Sequence, residues 1–289
     1  MELLQKMKQA VLENGWNLYD AAVMDVNGIH TVQFRPANAC NDSYSVAKLF
    51  TLTALGMLHD AGVLSFHELI CDIFADVLPP ECDPRWKKVT VEQVILHRFG
   101  TGEGYLDIDV EDIRQYGTDD FLQVVFRQPL AYEPGEHYQY SDAAYYLLSR
   151  VVSRKTGQKL DDYLRPRLFV PLQFQEVAWS CCPGGYPMGA TGLYIRTQDM
   201  VKLGWAYLNG GIYGSRRIFS QAFAQLAIQK GYELSGIEKN GIYGKGGMHG
   251  QMLLFSQQDH LAVAWHGFDD EGSGKLLRLA ASWLNAWQQ

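Results

Sequence analysis

The sequence predicts an α/β (α+β) chain in which one sheet takes strands from both chain ends and a mostly helical segment is inserted between them. Three observations predict it. Strand-like runs lie near the start and again near the end, while from about residue 65 to 188 the pattern is helical, broken by Pro and Gly. The boundaries that follow are 1–62 and 189–289 for the α/β domain and 63–188 for the inserted helical domain.

Leu3, Leu4, Met7 and Val11 form a helical stripe that ends near Asn14-Gly15. Segments 21–26 and 29–34 then flank Asn27-Gly28, the favoured two-residue turn of a hairpin. From 47 to about 59 the residues are apolar nearly all round, and Asp60-Ala61-Gly62 ends the run, as in a helix buried inside a protein. Past the insert, residues 199–208 read as a helix stopped by Asn209-Gly210-Gly211. Segments 251–256 and 261–266 read as strands. A last amphipathic helix places Leu276, Ala280, Trp283 and Trp287 on one face.

With 289 residues and 47% hydrophobic content the chain can bury a sizeable core. A formal charge of -7 argues against nucleic-acid or anionic-membrane partners, both of which need basic surface. A small-molecule or peptide-like substrate is the expected partner, and the oligomeric state is left open. Glu2, Lys6, Lys8 and Glu13 interrupt the N-terminal apolar residues, so no export signal is read, and no stretch reaches membrane-spanning length. Five cysteines, an odd count without metal or redox spacing, read as reduced thiols in the cytoplasm.

The chemistry begins at Ser43-Tyr44-Ser45-Val46-Ala47-Lys48. A serine hydroxyl is a poor nucleophile at neutral pH, and a lysine one helical turn later returns its amine to the same face. Nucleophile and base can thus be held together, at a helix start whose orphan N–H groups favour developing negative charge. Two more segments stand out. One is Glu133-Pro134-Gly135-Glu136-His137-Tyr138-Gln139-Tyr140-Ser141-Asp142, and the other is Tyr243-Gly244-Lys245-Gly246-Gly247.

Taken in order, these segments resemble the motifs of the penicillin-recognising serine hydrolases, the superfamily of β-lactamases and D-Ala-D-Ala peptidases, and especially its class C branch: Ser-x-x-Lys, Tyr-x-Asn, and Lys or His followed by Thr, Ser or Gly and Gly. Trp86 to Thr90, Leu96-His97, Pro171 to Phe174 and Gly192 to Asp199 look like further landmarks of that branch. The resemblance implies a β-lactamase/transpeptidase-like fold, an antiparallel sheet flanked by N- and C-terminal helices, with the site in the cleft beside the inserted all-α domain. It also implies an acyl-enzyme on Ser45, with Lys48 and Tyr140 as the base system and Lys245 holding a substrate carboxylate or steadying the tyrosine. Gly246 and Gly247 allow close backbone approach, the N–H groups of Ser45 and Met248 form the oxyanion hole, and His249 is the alternative to Lys245. No metal or organic cofactor is called for.

Two departures qualify the match. Asp142 stands where the branch carries asparagine; a carboxylate cannot donate to a substrate carbonyl, and about 4 Å from Lys48 it would favour the ammonium by roughly 4 kcal/mol at an effective dielectric of about 20. Arg98-Phe99 stands where a small hydroxyl residue is common. The expected function is a serine hydrolase acting on an ester, amide or β-lactam, with esterase or peptidase activity favoured over β-lactamase. The lysine of the third motif tilts the substrate toward one that bears a carboxylate. The alternative is a catalytically silent binding or sensor module, its lysine locked as the ammonium by Asp142.

Overall fold

A computed structural model describes residues 2–237 and 241–285. Along the chain, α1 (Glu2–Asn14) leads to β1 (Leu18–Asp25), β2 (Gly28–Gln33), β3 (Cys40–Asp42), a 3-10 turn (Tyr44–Val46) and α2 (Ala47–Asp60). The middle holds α3 (Ile70–Ile73), α4 (Val91–Ile95), α5 (Leu122–Arg127), α6 (Asp142–Thr156), α7 (Leu160–Leu164) and β4 (Val177–Trp179). The last third runs β5 (Leu193–Arg196), α8 (Thr197–Leu208), β6 (Ile212–Tyr213), β7 (Arg216–Arg217), α9 (Gln221–Lys230), β8 (Ser235–Ile237), β9 (Ile242–Gly246), β10 (Met252–Ser256), β11 (Leu261–Gly267) and α10 (Asp270–Asn285).

The chain forms two compact units. The first comprises Met1–Leu49, Leu168–Ala178 and Leu193–Gln289, and the second Phe50–Arg167 and Trp179–Gly192. In the first, six strands run antiparallel in the order β2-β1-β11-β10-β9-β8, so the chain's two ends meet where β1 pairs with β11, Ala22 opposite Ala264. Side chains alternate across a strand, and the residues obey that period. Ala21, Val23, Leu254, Val263 and Trp265 share one core with Leu3, Leu4, Met7 and Val11 of α1 and Leu276, Ala281 and Leu284 of α10. The opposite face of β1, β10 and β11 is covered by α8. Trp265 Nε1 donates to Ser273 Oγ at 2.9 Å, which satisfies the indole and pins α10 to the sheet. Trp287 lies outside the described residues.

The first hairpin differs from its predicted form by one residue. Asp25 pairs with Gly28, so Val26 and Asn27 are the turn, and neither has the positive φ that the expected turn type requires. Gly28 carries it instead, at φ 116°, while Asn27 N–H donates to Asp25 Oδ1. The glycine is needed, but after the turn rather than within it.

The second unit is helical. Residues 143–152 of α6 are buried without a break, and α4, α5 and α7 pack around that helix. Thr90 and Gln93 close a capping box on α4, and Gly157 ends α6 in the left-handed conformation at φ 69°. Among the described residues no helix is long and apolar enough to cross a membrane, and the five cysteines are free thiols.

A polar chain is buried in the first unit. Thr197 Oγ1 donates to Asp20 Oδ1 at 2.5 Å and lies 2.6 Å from His266 Nδ1. The single hydroxyl hydrogen serves Asp20, so His266 donates from Nδ1 and its buried Nε2 is a bare acceptor with no partner among the described residues. Burial holds the His266 imidazole down to about 3. Burial also raises the Asp20 carboxyl, against the bonds from Thr197 and the His266 backbone. An unfolded histidine takes its proton near 6.5, so below that pH the unfolded chain binds the proton that folded His266 refuses. Stability is therefore lost as pH falls, at about 1.4 kcal/mol per unit. Asp20 acts in the opposite sense and is common to both proteins in the comparison that follows. Urea melts at pH 7 and pH 5 should show the wild type losing about 2 kcal/mol more than His266→Gln; an equal loss would mean that His266 is protonated in the fold.

Candidate active site

The first unit holds the first and third motifs. Strand β3 pairs with β5, and Ser43, just past β3, is clamped there: its N–H and its Oγ both donate to Leu193 O, at 2.9 and 2.8 Å. The next residue, Tyr44, turns the chain with a left-handed backbone at φ 45°, unusual for an aromatic residue, and its N–H donates to Asp42 Oδ1. Ser45 thus enters a 3-10 turn rather than the first turn of α2, which starts at Ala47. In that turn residues three apart eclipse, and Lys48 Nζ reaches Ser45 Oγ at 3.1 Å. Lys48 is fully buried, whereas Ser45 is half-buried.

Strand β9 packs beside this turn and brings the third motif to the first. Gly247 is required by that approach, because a Cβ there would lie 2.8 Å from Ser43 O and 3.1 Å from Tyr44 Cβ. Buried Gln251 braces the loop that follows. Its backbone O accepts from Gly247 N–H at 2.9 Å, its Oε1 from His249 N–H at 3.2 Å, and its Nε2 donates to Gly267 O at 2.7 Å. The Met248 N–H lies between them and makes no hydrogen bond among the described residues. His249 is walled by aromatic rings, stacked on Phe268 at 4.0 Å and edge-on to Tyr44 at 4.9 Å. Lys245, on β9, is ion-paired with Glu233, a residue that no motif singled out.

Tyr140 and Asp142 belong to the second unit. Half-buried Tyr140 stacks on His97 at 4.6 Å, with ring planes 29° apart. Buried His97, itself left-handed at φ 54°, accepts the Ser141 N–H at Nδ1 (3.3 Å), and its backbone O accepts from Gln139 N–H at 2.9 Å. One residue therefore holds the backbone on both sides of Tyr140, its imidazole on the Ser141 side and its carbonyl on the Gln139 side, while the ring covers one face of the phenol. Asp142 opens α6 and shares a cluster with Asp107 and Asp109, their carboxylate oxygens within 4.8 Å of one another. Asp109 Oδ2 accepts from Thr191 Oγ1 at 2.5 Å. These three carboxylates are the described residues whose donor set fits a cation. Burial, assisted by the charges of Asp107 and Asp142, raises the nearby Glu111 carboxyl. The Asp107-x-Asp109 spacing was visible in the sequence, but nothing there tied it to Asp142.

The family model described as Beta-lactamase matches residues 7–272. A lovastatin esterase of Penicillium rubens is 26% identical over 190 residues, 58% of this chain and 46% of that one. Penicillin-binding protein 4 of Amycolatopsis lactamdurans is 32% identical over 136 residues, 46% of this chain and 34% of the other. The matches thus span less than half the length of these relatives. A penicillin-binding protein homologue from Caulobacter crescentus superposes with a TM-score of 0.76 at 13% identity, over 98% of this chain and 97% of that one, which shows the shared fold.

Proposed function

The chain belongs to the Beta-lactamase family, and on that footing we propose that it is a serine hydrolase that forms an acyl-enzyme on Ser45. One observation carries the reading. The Lys48 amine, fully buried, lies 3.1 Å from the Ser45 hydroxyl, within proton-transfer reach. Ser45 Oγ attacks the substrate carbonyl carbon while its proton passes to Lys48 Nζ, and the N–H groups of Ser45 and Met248 receive the oxyanion. Tyr140 hands a proton to the leaving group as the tetrahedral intermediate collapses. Water then attacks the acyl carbon by the reverse relay and frees Ser45.

The substrate class is an ester or amide of a small or peptide-like molecule, and the esterase among the relatives favours an ester. Free cysteines fit a reducing compartment, so the proposed location is the cytoplasm.

Incubation with a fluorophosphonate, followed by peptide mass mapping, tests the nucleophile. A single adduct is expected on the peptide containing Ser45, absent from Ser45→Ala. A wild-type protein that stays unmodified from about pH 6 to 10 removes this reading.

A further inference from the structure

We propose that Glu233 sets the charge of the substrate: by holding Lys245, it turns the third motif away from carboxylate-bearing substrates and toward uncharged ones. The proposal rests on the reading of Ser45 as the nucleophile and names the substrate class of that same site. It also reverses the tilt that the third-motif lysine suggested, since a lysine paired with a carboxylate presents no net charge to recruit another.

Both partners are withdrawn from water. The Lys245 side chain is 13% exposed and that of Glu233 only 4%. A substrate carboxylate that captured Lys245 would first have to break this buried ion pair, which costs more than the loss of an exposed one. Glu233 cannot easily swing aside. Its flanking residues Tyr232 and Leu234 are buried, and its own backbone is left-handed at φ 52°, a conformation that costs a non-glycine residue and persists only where the surroundings impose it. Discrimination arises from the cost set against the wrong ligand rather than from a new contact with the right one. The rest of the third-motif loop offers rings, not charges: His249 lies against Phe268, which is exposed, and Tyr44. Such a wall suits an uncharged acyl or leaving group.

Two esters with the same leaving group test this. p-Nitrophenyl butyrate is neutral, and mono-p-nitrophenyl glutarate carries a carboxylate at the far end of its acyl chain. The wild type should prefer the neutral ester by at least about tenfold in kcat/KM. Glu233→Gln should narrow that preference by at least about tenfold, through KM for the anionic ester rather than kcat, and Glu233→Asp should restore most of it. A parallel fall with both esters would mark Glu233 as a structural residue and overturn the proposal. So would a wild type that prefers the anionic ester, a result that does not depend on any variant folding. Calorimetry with benzylpenicillin separates this idea from the fate of the nucleophile. Ser45→Ala/Glu233→Gln should bind it at least about tenfold more tightly than Ser45→Ala; equal affinities, or no binding to either, would overturn the role of Glu233 whether or not Ser45 is acylated in the wild type.

Discussion

Lys48→Met should lower kcat/KM for p-nitrophenyl butyrate by about 10⁴-fold and bring it to the same floor as Ser45→Ala. Methionine nearly matches lysine in length and is readily buried, as the Lys48 side chain is, so the fold should persist. What disappears is the amine 3.1 Å from the hydroxyl, and with it the proposed acceptor for the serine proton. Because the two groups act as a unit, the double variant should be no slower than either single one. A Lys48→Met enzyme within tenfold of the wild type would show that another group takes the proton.

Tyr140→Phe carries the second largest effect, and its size should depend on the leaving group. The ring stacks on His97, and the backbone on either side is held by the same residue, through its imidazole at Ser141 and its carbonyl at Gln139, so removing the hydroxyl leaves the scaffold in place. If the phenol delivers a proton to the departing oxygen, an alkyl ester, whose alkoxide leaves poorly, should lose about 10³-fold, while a p-nitrophenyl ester should lose only about tenfold. Stopped-flow or steady-state rates for the two esters give the ratio directly. Equal losses would assign Tyr140 to positioning rather than to proton delivery.

Ser45 and Lys48 could be read from the chain because their relation is local. A spacing of three residues at the entrance to a helix dictates proximity whatever the remainder of the fold does. The hairpin at residues 18–33 was legible for the same reason, although the turn lies one residue earlier than the Asn-Gly pair suggested, since Gly28 accepts a positive φ after the turn as readily as within it. The buried run of α2 likewise follows from its apolar pattern alone, as do the short apolar runs of β10 and β11, which are buried almost without a break.

Glu233 was not legible, nor was the brace made by Gln251. Each acts on a partner whose position is set by strand pairing and loop path, and nothing in the residue types around Glu233 names Lys245 as its ion pair. The left-handed backbone at Tyr44 was likewise not legible; it follows the clamp of Ser43 on Leu193, a partner 150 residues away in the chain.

The sequence by itself determined the chemistry available to this protein: a serine, a lysine one turn away, a tyrosine motif and a lysine-glycine-glycine segment, together with a sheet drawn from both chain ends. Only the tertiary structure decided the partner of Lys245, because an ion pair forms where folding brings two side chains together, and the Glu233 carboxylate reaches Lys245 through space rather than through spacing.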